Sequence, residues 1–119
     1  VYSRLNGNEE SIDFAESLFL KTMKNWEEFD EIIQEHIKNW RMERLAVIDK
    51  LILRMAICEF IYFEEIPTKV TINEAIEVAK KYSTEKSDKF VNGILDAVLN
   101  SLQEEGRIQK SGRGLINSS

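Results

Sequence analysis

The sequence predicts an all-α protein folded as a compact helical bundle, and three observations carry that prediction. Apolar residues recur at spacings of three and four through most of the chain. One proline and five glycines leave little punctuation for a sheet of many short strands. One central stretch is apolar nearly all round, as a rod enclosed by other helices must be. At 119 residues, 43% apolar and 31% charged, the chain suits a single domain whose core needs neither disulfides nor a metal.

Residues 1–10 are polar and Asn/Gly-rich and read as a segment outside the bundle. The helical domain is expected over 11–106. Its first helix has Ile12, Ala15, Leu18, Phe19 and Met23 on one face. A second pattern runs through Trp26, Phe29, Ile32, Ile33, Ile37 and Trp40, with Glu27, Glu28, Glu31 and Glu35 opposite. The central rod spans about Leu45 to Phe63, and Pro67 blocks its continuation. Thr71-Ile72-Asn73-Glu74 reads as a capping box, opening a helix that turns Ala75, Ile76, Ala79 and Tyr82 inward. After the polar joint Ser83–Ser87, with Ser87 as N-cap, the last helix places Phe90, Val91, Ile94, Leu95, Val98, Leu99 and Leu102 at core spacing. Gly106 is positioned to end it in a left-handed conformation. Residues 107–119, rich in Gly, Ser and Arg, are expected to form a flexible basic tail. The sequence has no internal repeat.

A net charge of −5 argues against binding nucleic acid by bulk electrostatics. Residues 1–49 carry that whole deficit, while residues 50–119 balance. Any nucleic-acid site must therefore be local, or shared with a basic partner. Cys58 is the only cysteine, which excludes an intrachain disulfide, makes a thiolate metal site implausible and suits a reducing compartment. No apolar run reaches the roughly 18 residues of a membrane span, and no signal peptide is visible.

Catalytic motifs are absent: there is no phosphate loop, dinucleotide fingerprint or nucleophile elbow. His36, the only histidine, sits in an amphipathic helix and reads as a partly packed side chain, while Glu27, Glu28, Asp30 and Glu31 read as a solvated helix start. Without a nucleophile, a base and an orienting group, no enzyme, catalytic residue, cofactor or metal is expected.

Two features exceed a generic bundle. Arg54 and Glu59 lie inside the most apolar helix, five residues apart, too far round for a pair on one face. Each must find a partner or an edge, so Arg54 is expected to pair across helices. The second feature is the joint Lys86-Ser87-Asp88-Lys89-Phe90-Val91-Asn92-Gly93. Two lysines, a hydroxyl, an aromatic and an amide gather at one helix start, where free N–H groups attract phosphate and an aromatic can stack a splayed base. Phe90 also fits the core periodicity.

Three motifs then stand in order with matching gaps. They are Arg44-Leu45 and Asp49 through Ile52-Leu53-Arg54-Met55-Ala56 to Cys58-Glu59-Phe60; Ile66-Pro67-Thr68-Lys69-Val70-Thr71-Ile72-Asn73-Glu74-Ala75-Ile76-Glu77-Val78-Ala79-Lys80; and Ser87 with Lys89-Phe90-Val91-Asn92-Gly93-Ile94-Leu95-Asp96. Together they resemble the signature of the NusB family, over about Phe14 to Leu99 and most specifically from Leu45 onward.

The resemblance implies a NusB-like all-α fold and a cytoplasmic transcription antitermination adaptor without cofactor. It implies binding to the ribosomal protein NusE and, with it, to single-stranded boxA RNA in the antitermination complex of RNA polymerase. Position by position, Lys86, Ser87, Lys89, Phe90 and Asn92 match the RNA-facing joint. Asp49 and Glu59 match the surface offered to the protein partner. Arg54, Asn73 and Glu74 match structural positions, an internal ion pair and a helix cap. The family's Arg-rich opening helix has no counterpart before Val1, so weak RNA binding by the chain alone and an apolar groove open to self-association as a homodimer are expected. The helical domain also resembles the RNA-binding domain of certain ribosomal RNA cytosine methyltransferases, and a helical interaction module dimerising through the Trp26–Trp40 helix is the third reading.

Overall fold

A computed structural model describes residues 9–37 and 42–115. It contains five helices: α1 (Glu9–Lys24), α2 (Trp26–His36), α3 (Val47–Tyr62), α4 (Thr68–Tyr82) and α5 (Ser87–Glu104). Short 3-10 turns occupy Met42–Arg44 and Gly112–Leu115, and the described residues contain no strand. Trp40 lies outside them.

α3 touches each of the other four helices and forms the axis of the bundle. Leu53, Ile57, Cys58 and Phe60 are fully enclosed, and burying each large apolar side chain contributes about 1.5–3 kcal/mol. Enclosure is incomplete at its start, where Val47, Ile48 and Leu51 face solvent. α2 packs Phe29, Ile32 and Ile33 against α3, and Ile37 just beyond it is also buried. His36 bridges α2 to α5: Nδ1 lies 2.7 Å from the Ile32 carbonyl oxygen and Nε2 lies 2.8 Å from Ser101 Oγ.

Four sequence expectations change in the fold. On α1 the inward row is Ser11, Phe14, Leu18 and Thr22, so Ile12, Phe19 and Met23 are exposed. Phe14 meets the Phe63 ring edge-on at 5.4 Å, and Thr22 satisfies its own hydroxyl on the Leu18 carbonyl, which lets that row be buried. α4 begins at Thr68, one turn before the expected capping box. Pro67 is already extended, its carbonyl accepts the amides of Val70 and Thr71, and its missing N–H costs nothing there. Thr71, Asn73 and Glu74 therefore lie within the helix, and Asn73 and Glu74 are not a cap.

Tyr82 points outward, because the inward row of α4 continues from Ala75 and Ala79 to Ser83. Finally, residues 107–115 are not a free tail. Arg107 pairs with Glu28 at 2.7 Å, the Ser111 amide donates to the Glu64 carbonyl, and Lys110 Nζ donates to the carbonyls of Glu59 and Phe63 at the end of α3.

Gly106 ends α5 as expected, with a φ of 70°. The Arg107 amide reaches back to the Leu102 carbonyl and the Gly106 amide to Gln103, the two bonds of a Schellman motif.

Candidate nucleic-acid interface

The joint between α4 and α5 is organised from beneath by a carboxylate. Asp49, in the first turn of α3, is 6% exposed. Ser83 Oγ donates to its Oδ1 at 2.6 Å, and Ser87 Oγ donates to its Oδ2 at 3.1 Å. Thr84 Oγ1 lies 2.8 Å from Ser87 Oγ, and the Ser87 amide donates to the Thr84 carbonyl. One buried group thus fixes the last residue of the α4 row, the connecting turn and the first residue of α5. Lys86 completes the turn with a φ of 72°, the only left-handed non-glycine residue among those described.

This arrangement divides the five residues of the expected RNA-facing joint. Lys86 is exposed at the left-handed turn, and Lys89 and Asn92, three residues apart, are exposed on the first turns of α5. Phe90 is half-buried and packs on the core, leaving part of its ring at the surface. Ser87 is turned inward and only 4% exposed, so it is an anchor of the joint and not a surface contact; Lys86, with no side-chain cap bond, takes the N-cap position in its place. Lys80, Lys81 and Tyr82 at the end of α4 are exposed as well, and Ser83, next in sequence, is joined to Ser87 through Asp49. Residues 80–92 hold four lysines and two acids, a positive surplus of two in a chain of net charge −5. The helical pattern alone hid Tyr82; the neighbouring Ser83 and the acid at position 49 were the signals for its outward turn.

The two carboxylates expected to face a protein partner are both inside. Glu59 is 1% exposed and its Oε1 accepts from Thr71 Oγ1 at 2.6 Å. Asp49 is occupied by Ser83 and Ser87, as described. Their oxygens serve α3–α4 and α3–α5 packing, and neither is presented at the surface. Hydroxyl donors from the facing helices make the burial of each acid tolerable. Glu74 faces α3 across a small crevice that it lines with Glu59, Thr71, Ile52, Met55, Ala56 and Ala75.

Arg54 pairs across helices. Its Nε and Nη2 donate to the two oxygens of Asp30 on α2 at 2.6 and 2.8 Å, in bidentate geometry, and the guanidinium lies 5.2 Å from the Trp26 ring centre. Burial pushes the Cys58 thiol up to about 11, so it stays protonated at neutral pH. Burial likewise raises the Tyr62 phenol, reinforced by its hydrogen bond to Glu28. No group of three His, Cys, Asp or Glu side chains among the described residues could hold a metal, and no helix among them is long and apolar enough to cross a membrane.

Residues 80–92 thus carry four exposed lysines, the exposed Tyr82 ring and the half-buried Phe90. The NusB family model matches residues 2–100. The transcription antitermination protein NusB of Salinibacter ruber is 56% identical over 104 residues, spanning 87% of this chain and 65% of that protein. The chain thus spans just under two thirds of that relative's length. Among solved structures, T. maritima NusB superposes with a TM-score of 0.75 at 39% identity, covering 78% of this chain and 66% of the other. A chain from the crystal structure of antitermination factors NusB and NusE in complex with dsRNA superposes with a TM-score of 0.73 at 28% identity, covering 85% of this chain and 74% of the other.

Proposed function

The chain belongs to the NusB family, and on that premise we propose that it is a non-catalytic adaptor of transcription antitermination in the cytoplasm. It binds single-stranded boxA-type RNA together with the ribosomal protein NusE, and the pair joins the antitermination complex of RNA polymerase. The single observation that carries the RNA assignment is the α4–α5 joint. Lys86, Lys89 and Asn92 are exposed at one helix start, Phe90 is half-buried between Lys89 and Asn92 in sequence, and Asp49 holds the hydroxyls of Ser83 and Ser87 at the joint. Lysines supply attraction to phosphate, and an amide and an aromatic ring supply contacts to unpaired bases.

Asp49 and Glu59 have no part in the protein contact in this reading, since both are enclosed. Val47, Ile48 and Leu51, the solvent-facing residues at the start of α3, offer NusE an apolar contact on that helix. The acidic N-terminal part makes autonomous RNA binding weak, so the basic partner supplies much of the affinity.

Titration of labelled boxA RNA with the chain, with and without NusE, tests the reading. Lys89→Glu is expected to cut RNA affinity about tenfold or more with NusE present, by reversing a charge at the backbone contact. Phe90→Ala is expected to weaken binding by a smaller factor while its circular dichroism stays helical. Unchanged RNA affinity in both variants removes the site; RNA binding that ignores NusE removes the adaptor.

A further inference from the structure

We infer that Tyr82 is a base-stacking platform that extends the RNA-binding edge from α5 onto the end of α4. The inference rests on the reading of this joint as RNA-facing. Tyr82 is 62% exposed, the most exposed aromatic ring among the described residues. A tyrosine at the C-terminal turn of a helix has ample opportunity to fold back onto the bundle, yet this one is carried outward because Ser83 is drawn in by Asp49. The ring is thus displayed from a backbone that is fixed on its other side.

One cation lies against the ring, and three more lysines, with the acid Glu85, are exposed nearby in sequence. Lys81 Nζ lies 5.5 Å from the ring centre, and Lys80, Lys86 and Lys89 are exposed on the same joint. An exposed ring within a cluster of lysines suits single-stranded nucleic acid: the cations follow the phosphates, and the ring takes a base whose face is free. A duplex keeps its bases stacked inside and offers no such face. An acidic peptide would satisfy the lysines but leave the ring unused.

The test compares Tyr82→Ala and Tyr82→Phe, by fluorescence anisotropy, on a short unstructured single-stranded boxA RNA and on its duplex, with NusE saturating. Tyr82→Ala is expected to lose about tenfold in affinity for the single strand, within the range of a lost stacking contact. Its affinity for the duplex and its salt dependence stay as in the parent, because stacking releases no counterions. Tyr82→Phe keeps the parent affinity. Equal binding by Tyr82→Ala and the parent overturns the inference, as does an equal loss on single strand and duplex, or a loss in NusE affinity measured without RNA. If Lys89→Glu loses affinity while Tyr82→Ala does not, only this inference fails. If neither variant changes RNA affinity, the RNA-facing reading fails with it.

Discussion

A buried carboxylate with hydroxyl partners on two other elements is worth more to a small bundle than its hydrogen bonds alone. Asp49 holds Ser83 and Ser87 at once, so its loss leaves two hydroxyls in the interior without their acceptor. Asp49→Ala is expected to lower stability by about 1–3 kcal/mol in urea unfolding. It should also weaken boxA RNA binding, although no lysine is touched, because Lys86 and Tyr82 are positioned through the residues Asp49 holds. Parent-like RNA affinity in a folded Asp49→Ala protein would show that the joint keeps its shape unaided. Position 49 also marks the limit of what the residues disclose. That Lys86, Lys89 and Asn92 gather at one helix start follows from their closeness in sequence. That Asp49 and Glu59 point inward does not, because an acid in an apolar helix is equally compatible with an edge position. The decision lies with Ser83, Ser87 and Thr71, which are distant in sequence and supply the donors.

Helices were the most legible level, since the core rows of α2 and α5 have unbroken spacings of three and four. α1 was misjudged by one row because Ile12, Phe19 and Met23 are more apolar than the Ser11 and Thr22 that are buried. The stretch after Gly106 was misread for a different reason: its Gly and Ser content resembles a linker, while its contacts come from Arg107 and Lys110. Gly114 is required there by close approach, as an added Cβ would overlap the Glu64 carbonyl oxygen. Lys110 makes this element sensitive to pH. Burial lowers its ammonium from 10.5 to about 8, opposed by Glu59 and Glu64. Between those values the unfolded chain holds a proton that the folded chain has released, so stability rises with pH from about 8 upward. Cys58 acts in the other direction, since its folded value of about 11 lies above the ordinary 9.0, and stability is lost as pH rises from 9.0 towards 11. Between about 8 and 9 the Lys110 contribution is therefore the larger of the two. Urea midpoints should increase across this interval in the parent and not in Lys110→Met, and a parent midpoint that falls there contradicts the assignment.

Across the whole molecule, charge decides how much of the RNA affinity can belong to this chain. The surface is acidic overall, and residues 1–49 hold eleven acids against six bases. That balance opposes phosphate binding, and within the α4–α5 joint the exposed cations available to offset it are Lys80, Lys81, Lys86 and Lys89. Each phosphate neutralised on a single strand contributes about −0.7 to the slope of log affinity against log salt. Four lysines therefore limit the chain's own share of the slope to about −3, with all four engaged. A boxA complex that includes NusE should have a steeper slope, and the excess measures the phosphate contacts of the partner. Lys86→Glu combined with Lys89→Glu should make the slope shallower by about 1.4, whether or not NusE is present, because the contacts removed are on this chain. The comparison needs titrations at several salt concentrations, with the double variant checked for helicity. A slope well beyond −3 for the chain alone would place phosphate contacts outside the α4–α5 joint, and an unaltered slope in the double variant would mean that those two lysines face solvent and not RNA.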